Sequence, residues 1–338
     1  ESATQNQYLG RASLIAHETA HMWFGNLVTM RWFDDVWMKE VFANFMAAKI
    51  VNPSFPDIDH DLRFLLAHYP AAYGVDRTPG ANAIRQALDN LDDAGQLYGA
   101  IIYQKAPIVM RHLEALTGED AFRRALRRYL ADHPFGNAGW PALVAALDEV
   151  TPLDVPAWSR VWIEEAGRPT IETVLRDGAP AGLRQSDPRG RGFVWDQRLR
   201  LDVLAAARGW SSIDVRLDRP EVTLGSAGQG GEDPGLVMAI PNADGLGYGL
   251  FLLDDVTTTS LLRDLPTIPD AVTRAAAWLD LWEMMLEGRA PVPPMIELAL
   301  ALSANDEDEL IANAALGDLT ELYWRFLDPR QRAAQAPR

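Results

Sequence analysis

The stretch "HETAHMWFGNLVTMRWFDDVWMKE", residues 17–40, carries the most specific pattern in this sequence. His17 and His21 are four positions apart, so on a helix their imidazoles lie on one face, one turn apart. Neutral imidazole is a preferred ligand of Zn²⁺, and Glu18 stands beside this pair without sharing its face. The spacing therefore predicts a metal-binding helix with a carboxylate placed to act as a base.

A third ligand is available in Glu40, which follows His21 after eighteen intervening residues. Residues 35–51 ("DVWMKEVFANFMAAKIV") predict a second helix, and the segment between the two helices is long enough for them to pack side by side. We expect His17, His21 and Glu40 to bind one zinc ion and to leave a fourth coordination position open. The alternative is that both histidines are ordinary core or surface residues and that the spacing is accidental.

The hydrophobic pattern divides the chain into three regions. Residues 9–167 have helical periodicity, residues 170–255 alternate apolar and polar positions, and helical periodicity returns after residue 255. In the middle region, "SSIDVRLD" and "RLRLDV" alternate between turns rich in Gly, Pro and Asn, which is typical of a small antiparallel β-sandwich. We therefore predict domains at residues 1–168, 169–258 and 259–338.

Composition excludes several classes of protein. A chain of 338 residues is too long for one ordinary hydrophobic core and suggests two or three domains. Its content of 48% hydrophobic residues is normal for a globular protein. The formal net charge of -16 argues against nucleic acid or anionic membranes as partners. It could attract cationic ligands or simply maintain solubility. No apolar run is long enough to cross a bilayer, and the absence of cysteine excludes disulfides and thiolate ligands.

At this point the sequence resembles the aminopeptidase N family of zinc metallopeptidases, within the gluzincins. The resemblance rests on residues 17–46, on "YQKA" at 103–106, which is similar to the family's Tyr-x-Lys-Gly, and on "WIEEAGRPTI" at 162–171. It implies that His17, His21 and Glu40 bind zinc and that Glu18 is the general base and acid. It also implies that the Tyr103 hydroxyl donates to the oxyanion. Without the resemblance, we would interpret Tyr103 as a core aromatic residue.

The same resemblance implies a multidomain α and β fold. Residues 1–168 would be the helical lobe of a thermolysin-like catalytic domain, followed by the β-sandwich and by the beginning of a C-terminal α-helical domain. Val41 and Ala106 replace glycines that are usual in the family, and Lys39 replaces a frequent Asn. Asn26, Asp34 and Asp35 could bind the N–H groups of the histidines or be solvated turn residues.

The family's Gly-x-Met-Glu-Asn motif, whose acidic residue binds the substrate's α-amino group, has no match in these 338 residues. We therefore expect an internal segment that needs the remainder of its own full-length chain. The expected function is a zinc aminopeptidase acting on peptides with a free amino terminus, and the isolated segment should be weak or inactive. Two alternatives are a bifunctional epoxide hydrolase and aminopeptidase of the same family, and a non-catalytic interaction scaffold that keeps the fold.

Overall fold

The structure is a computed structural model that describes residues 3–224 and 235–336, apart from the side chain of Gln96. It is a mixed α and β chain with many helices and small sheets. Residues 225–234 of the predicted β region lie outside the described residues. The chain divides into two compact units, one comprising residues 1–60, 67–168 and 195–197, the other residues 61–66, 169–194 and 198–338.

The first unit is almost entirely helical. Its helices, in chain order, are α1 (Gln5–Ala20), α2 (Val36–Val51), α3 (His60–Asp76, whose residues 61–66 belong to the second unit), α4 (Ala106–Thr117), α5 (Glu119–Asp132), α6 (Trp140–Asp148) and α7 (Val155–Trp162). Short 3₁₀ turns cover Phe33–Asp35, Asn52–Ser54 and Leu91–Leu97, and a π-helical turn, Ile101–Lys105, leads directly into α4. Two short strands, β1 (Val28–Thr29) and β2 (Gly136–Asn137), pair in parallel.

Helix α2 is the centre of the first unit, because apolar residues surround it on nearly every side. Trp37 and Phe42 are completely buried. The ring of Trp37 lies 5.0 Å from that of Trp140, and Phe42 stacks on Phe24 at the same distance. A helix that is apolar around its circumference must be covered by its neighbours, and α2 packs against α1 and α4. Glu40, in the buried part of α2, is therefore a carboxylate largely removed from solvent.

The second unit contains two sheets and a group of helices. The strands are β3 (Thr170–Arg176), β4 (Ala179–Ser186), β5 (Gln197–Ala205), β6 (Gly209–Leu217), β7 (Glu221–Thr223), β8 (Leu236–Ile240) and β9 (Leu250–Leu252). They form a four-stranded sheet in the order β7-β4-β3-β9 and a three-stranded sheet in the order β6-β5-β8. The helices are α8 (Asp255–Asp264), α9 (Ala271–Leu286), α10 (Val292–Asn305), α11 (Glu309–Glu321) and α12 (Pro329–Gln335), with a 3₁₀ turn at Leu265–Thr267 and a π-helical turn at Leu322–Phe326.

The two sheets share one apolar cluster. Ile171 and Leu183 from the first sheet and Leu201 and Leu217 from the second are completely buried in it. Strand β5 buries every second residue, as the alternation in "RLRLDV" predicts. Helix α8 packs on β8, where the backbone N–H of Ala239 donates to Thr257 Oγ1 at 2.8 Å.

One feature of the β region differs from the sequence prediction of an antiparallel arrangement. Strand β9 pairs in parallel with β3, with Thr170 opposite Leu250 and Glu172 opposite Leu252. The two strands are far apart in the chain, so no tight turn fixes their relative direction. The prediction of a purely antiparallel sheet is therefore wrong at this edge.

Among the described residues, no helix is both long enough and apolar enough to cross a membrane.

Candidate metal centre

Helix α1 brings His17 and His21 together at its carboxyl end. The helix starts with a capping box in which Thr4 and Gln7 satisfy each other's backbone N–H groups. At the other end, His21 is the capping residue and its N–H donates to the carbonyl of His17. The two imidazole rings meet edge to face with centroids 4.7 Å apart. The carboxyl end of a helix carries partial negative charge, which favours a cation at this place.

Three donor atoms from α1 and α2 converge on one point. Nε2 of His17 lies 3.1 Å from Nε2 of His21, and Glu40 Oε2 lies 3.6 Å and 3.9 Å from these two nitrogens. Ligands of a tetrahedral ion with bonds of about 2.0–2.2 Å would be about 3.3–3.6 Å apart. The three observed separations are close to that value, so the donor set has the size of a zinc site.

The hydrogen bonds behind the rings decide which nitrogens face this point. His21 Nδ1 lies 3.0 Å from the carbonyl oxygen of Phe24, which can only accept, so the proton is on Nδ1. His17 Nδ1 lies 2.9 Å from Asn44 Oδ1, which likewise accepts a proton from the ring. Both Nε2 atoms then present lone pairs to each other and to a carboxylate oxygen. Three acceptors this close to one another repel, unless a cation lies between them and accepts their lone pairs. These residues therefore fit a zinc ion.

Glu40 uses its two oxygens differently. The residue is buried, and its Oε1 lies 3.3 Å from Lys39 Nζ, while Oε2 faces the histidines. A buried carboxylate is costly unless charges or hydrogen bonds compensate it. Lys39 provides part of that compensation, so the residue that replaces the family's frequent Asn takes part in the local electrostatics.

Glu18 and Tyr103 are the two predicted catalytic residues. Glu18 lies beside His17 on α1, and it is exposed. Tyr103 is half-buried in the π-helical turn, with its ring stacked on Tyr98 at 6.3 Å. Burial is the main reason that the pKa of the Tyr103 hydroxyl is raised, and the negative charge of Glu40 adds to it. Tyr103 therefore stays a hydrogen-bond donor at neutral pH.

The predicted partners of the histidine N–H groups are not the observed ones. Asn26 is exposed, and the aspartates instead bind Arg85, at 2.9 Å from Asp34 and 2.7 Å from Asp35. Asp35 is buried, which excludes the alternative of a solvated turn residue at that position. Burial raises its pKa, and the hydrogen bond to Arg85 opposes this change.

The sequence interpretation did not identify Asn44. This residue follows Glu40 by four positions on α2, so both side chains point to the same side of the helix. That spacing is a signal that the sequence contains. The backbone carbonyl of Phe24 had no such signal, because its position depends on how the chain turns after α1.

Comparison with known proteins identifies the family that this chain resembles. Residues 1–162 match the Peptidase family M1 domain. Aminopeptidase N of Streptomyces lividans is 29% identical over 90% of this chain, which covers 37% of that protein. Tricorn protease-interacting factor F2 of Thermoplasma acidophilum is 34% identical over 92% of this chain, which covers 38% of it. Puromycin-sensitive aminopeptidase of Caenorhabditis elegans is 34% identical over 49% of this chain.

The chain thus spans well under half the length of the relatives that it matches along most of its own length. The matched residues 1–162 include the donor atoms from α1 and α2 and the turn that contains Tyr103. The chain belongs to the aminopeptidase N family of metallopeptidases.

Proposed function

We propose that the protein carrying this chain is a zinc-dependent aminopeptidase that removes amino-terminal residues from peptides. The single observation that carries the proposal is the convergence of His17 Nε2, His21 Nε2 and Glu40 Oε2, all within 4.8 Å of one another. These three residues would hold the ion. Zinc held there would supply Lewis acidity, which lowers the pKa of a water molecule and polarises a peptide carbonyl.

The chain's own residues would then move the protons. Glu18, exposed beside the ligands, accepts a proton from the attacking water and later transfers it to the nitrogen of the leaving amine as the C–N bond breaks. Tyr103 remains protonated and donates a hydrogen bond to the carbonyl oxygen as negative charge develops on it. In this proposal Glu18 transfers the proton, and Tyr103 stabilises the negative charge on the carbonyl oxygen.

For the architecture, we infer that residues 1–168 are the helical part of a thermolysin-like catalytic domain, that residues 169–258 form a β-sandwich and that residues 259–338 begin an α-helical domain. The shared apolar cluster of the two sheets supports the second assignment. Peptides with a free amino terminus are the proposed substrates, and the net charge of -16 favours the approach of that cationic group. The proposed partner for binding it is the remainder of the full-length chain, because the acidic motif for the α-amino group has no match here.

The test is the hydrolysis of aminoacyl p-nitroanilides by the complete enzyme and by its Glu18→Gln variant. Glutamine keeps the size of the side chain but cannot accept the proton, so kcat should fall about 10²–10⁴-fold while bound zinc is unchanged. Glu309→Gln, at another exposed helical position in the second unit, is the matched control and should keep full activity. Undiminished turnover in Glu18→Gln would refute the assignment of the base.

The same assays separate the remaining functions. Hydrolysis of an epoxide by the wild type, lost in Glu18→Gln, would identify the bifunctional alternative, and zinc binding without turnover of either substrate would identify a scaffold. Applied to the 338-residue chain alone, the anilide assay tests the expectation of weak or absent activity.

A further inference from the structure

Lys105 is a fully buried lysine two residues after Tyr103, with a side chain that is only 1% exposed. Lysine is almost never buried unless its charge is paired. Its Nζ lies 2.8 Å from Asp76 Oδ2, in a side chain that is 0% exposed, and it donates to the carbonyl oxygen of Gly167 at 2.8 Å. The two ends of this ion pair therefore join the end of α3 to the end of the π-helical turn.

The turn has a second connection to α3. His68 hydrogen-bonds to the backbone of Tyr103 and to the side chain of Gln104. Lys105 is the last residue of the turn Ile101–Lys105, and Tyr103 is its middle residue. Helix α3 thus holds this turn at Tyr103 itself and again two residues later.

We propose that Lys105 and Asp76 are a positioning pair for Tyr103, fixing the turn so that the tyrosine hydroxyl meets the developing oxyanion. The inference rests on the proposed function. A π-helical turn is wider than an α-helical one and is found mostly as single turns, often at functional sites. Its backbone is held here by a buried charge pair, which is sensitive to the loss of either partner because the remaining charge stays uncompensated. Displacement by about 1 Å at a catalytic group can cost about 10²-fold in rate.

The test is a double-mutant cycle in the complete enzyme with Lys105→Met, Tyr103→Phe and both together. Tyr103→Phe should lower kcat about 10²–10³-fold. Lys105→Met should lower kcat about 10–100-fold with KM within about threefold. In the Tyr103→Phe background, Lys105→Met should change kcat by less than about twofold, because the hydroxyl that it positions is gone. An equal loss of kcat in both backgrounds would overturn the proposal and leave the ion pair a purely structural element.

Further variants keep the test decisive. Asp76→Asn removes the charge but keeps the shape and an acceptor, so it carries the same cycle if Lys105→Met does not fold; its smaller loss of kcat should also disappear in the Tyr103→Phe background. Arg274→Met breaks a comparably buried pair with Asp306 in the second unit and should leave kcat unchanged. Glu18→Gln separates the two hypotheses. If it is inactive while the cycle is additive, only the positioning role fails; if it is fully active, the proposed function fails.

Discussion

Asn44 orients one of the two imidazoles of the site. Its Oδ1 lies 2.9 Å from His17 Nδ1, which leaves Nε2 of that ring free of a proton. Groups that fix the tautomer and orientation of a ligating histidine also set the affinity for the metal. The corresponding group behind His21 is a backbone carbonyl, which no substitution removes. Asn44 is therefore a position at which a substitution should change the metal affinity of the proposed site without altering a proposed ligand.

We predict that Asn44→Ala weakens zinc binding about 10–100-fold, because the ring of His17 loses its acceptor and can rotate or change tautomer. Zinc affinity is measured by competition with a chromogenic chelator. Asn26→Ala, at an exposed position near the same helix, is the matched control and should bind zinc like the wild type. His21→Ala should lose the ion. Wild-type affinity in Asn44→Ala would show that packing alone orients His17.

At this scale, sequence reasoning was effective where the spacing along one helix determines geometry. The spacing on α1 brings His17 and His21 together as predicted, and the packing of α2 beside α1 brings Glu40 to them. Asn44 obeys the same four-residue spacing and could have been found by it. Asp76 could not, because its contact with Lys105 joins residues 29 positions apart, and only the packing of α3 on the turn decides it. The roles of all these residues in metal binding and catalysis remain predictions.

Among the elements, α6 is attached to the start of α2 through Asp35. The Asp35 Oδ2 atom accepts from the backbone N–H of Trp140, the first residue of α6, at 3.2 Å, and Arg85 Nε donates to Oδ1 at 2.7 Å. The capping residue of α6 is Gly139, and a Cβ added there would overlap Asp35 Oδ2. Helix α6 can therefore approach Asp35 this closely only because the preceding residue has no side chain.

Gly139→Ala should lower the free energy of unfolding by about 2–3 kcal/mol, because Asp35 must move away and lose contacts that compensate its burial. Gly10→Ala in α1 is the control: nothing lies within 4 Å of its added Cβ, and alanine should stabilise the helix by about 0.5–1 kcal/mol. Urea unfolding measures both. A neutral Gly139→Ala variant would show that the start of α6 adapts without cost.

The sequence predicted the type of the helices and strands well. It predicted less well where they end and which strands pair. The predicted second helix, residues 35–51, appears as α2 at Val36–Val51. In the helical region predicted after residue 255, helix α11 ends at Glu321 and gives way to a π-helical turn at Leu322–Phe326. Apolar periodicity identifies a buried face, but it does not distinguish α-helical from π-helical hydrogen bonding. The parallel pairing of β9 with β3 could not be predicted from local sequence patterns either, because it joins segments that are distant in the chain.

For the molecule as a whole, Asp318 makes folding stability depend on pH. It accepts a hydrogen bond from Trp278 Nε1 at 2.8 Å, joining α11 to α9. The pKa of Asp318 is raised to about 6, mainly by burial and also by the nearby carboxylates of Glu321 and Glu283, while the hydrogen bond from Trp278 lowers it. The folded state therefore binds this proton more tightly than the unfolded state, whose pKa is close to 3.8. Stability from this group is present below about pH 4 and is lost as the pH rises to about 6.

Asp318→Asn should therefore raise stability above pH 6, by about 1–2 kcal/mol after allowance for partial solvent screening, and should have little effect below pH 4. The amide oxygen still accepts from Trp278. Thermal unfolding between pH 4 and pH 8 measures the difference. Asp214→Asn, at an exposed position of β6 in the same unit, should follow the wild-type curve. A constant offset between Asp318→Asn and the wild type at all pH values would contradict the assignment.

The π-helical turn Ile101–Lys105 has one more consequence, for the insertion and deletion of residues. Such a turn contains one residue more than the α-helical turn it replaces. In an α-helix, successive side chains are rotated by about 100° around the helix axis. Removing Gln104 would let α4 continue regularly, but it would change the direction of Tyr103 relative to Lys105, whose Nζ pairs with Asp76. The length of this turn is therefore as restrictive as the identity of its side chains, and a homologue with a turn one residue shorter would need a different partner for its lysine.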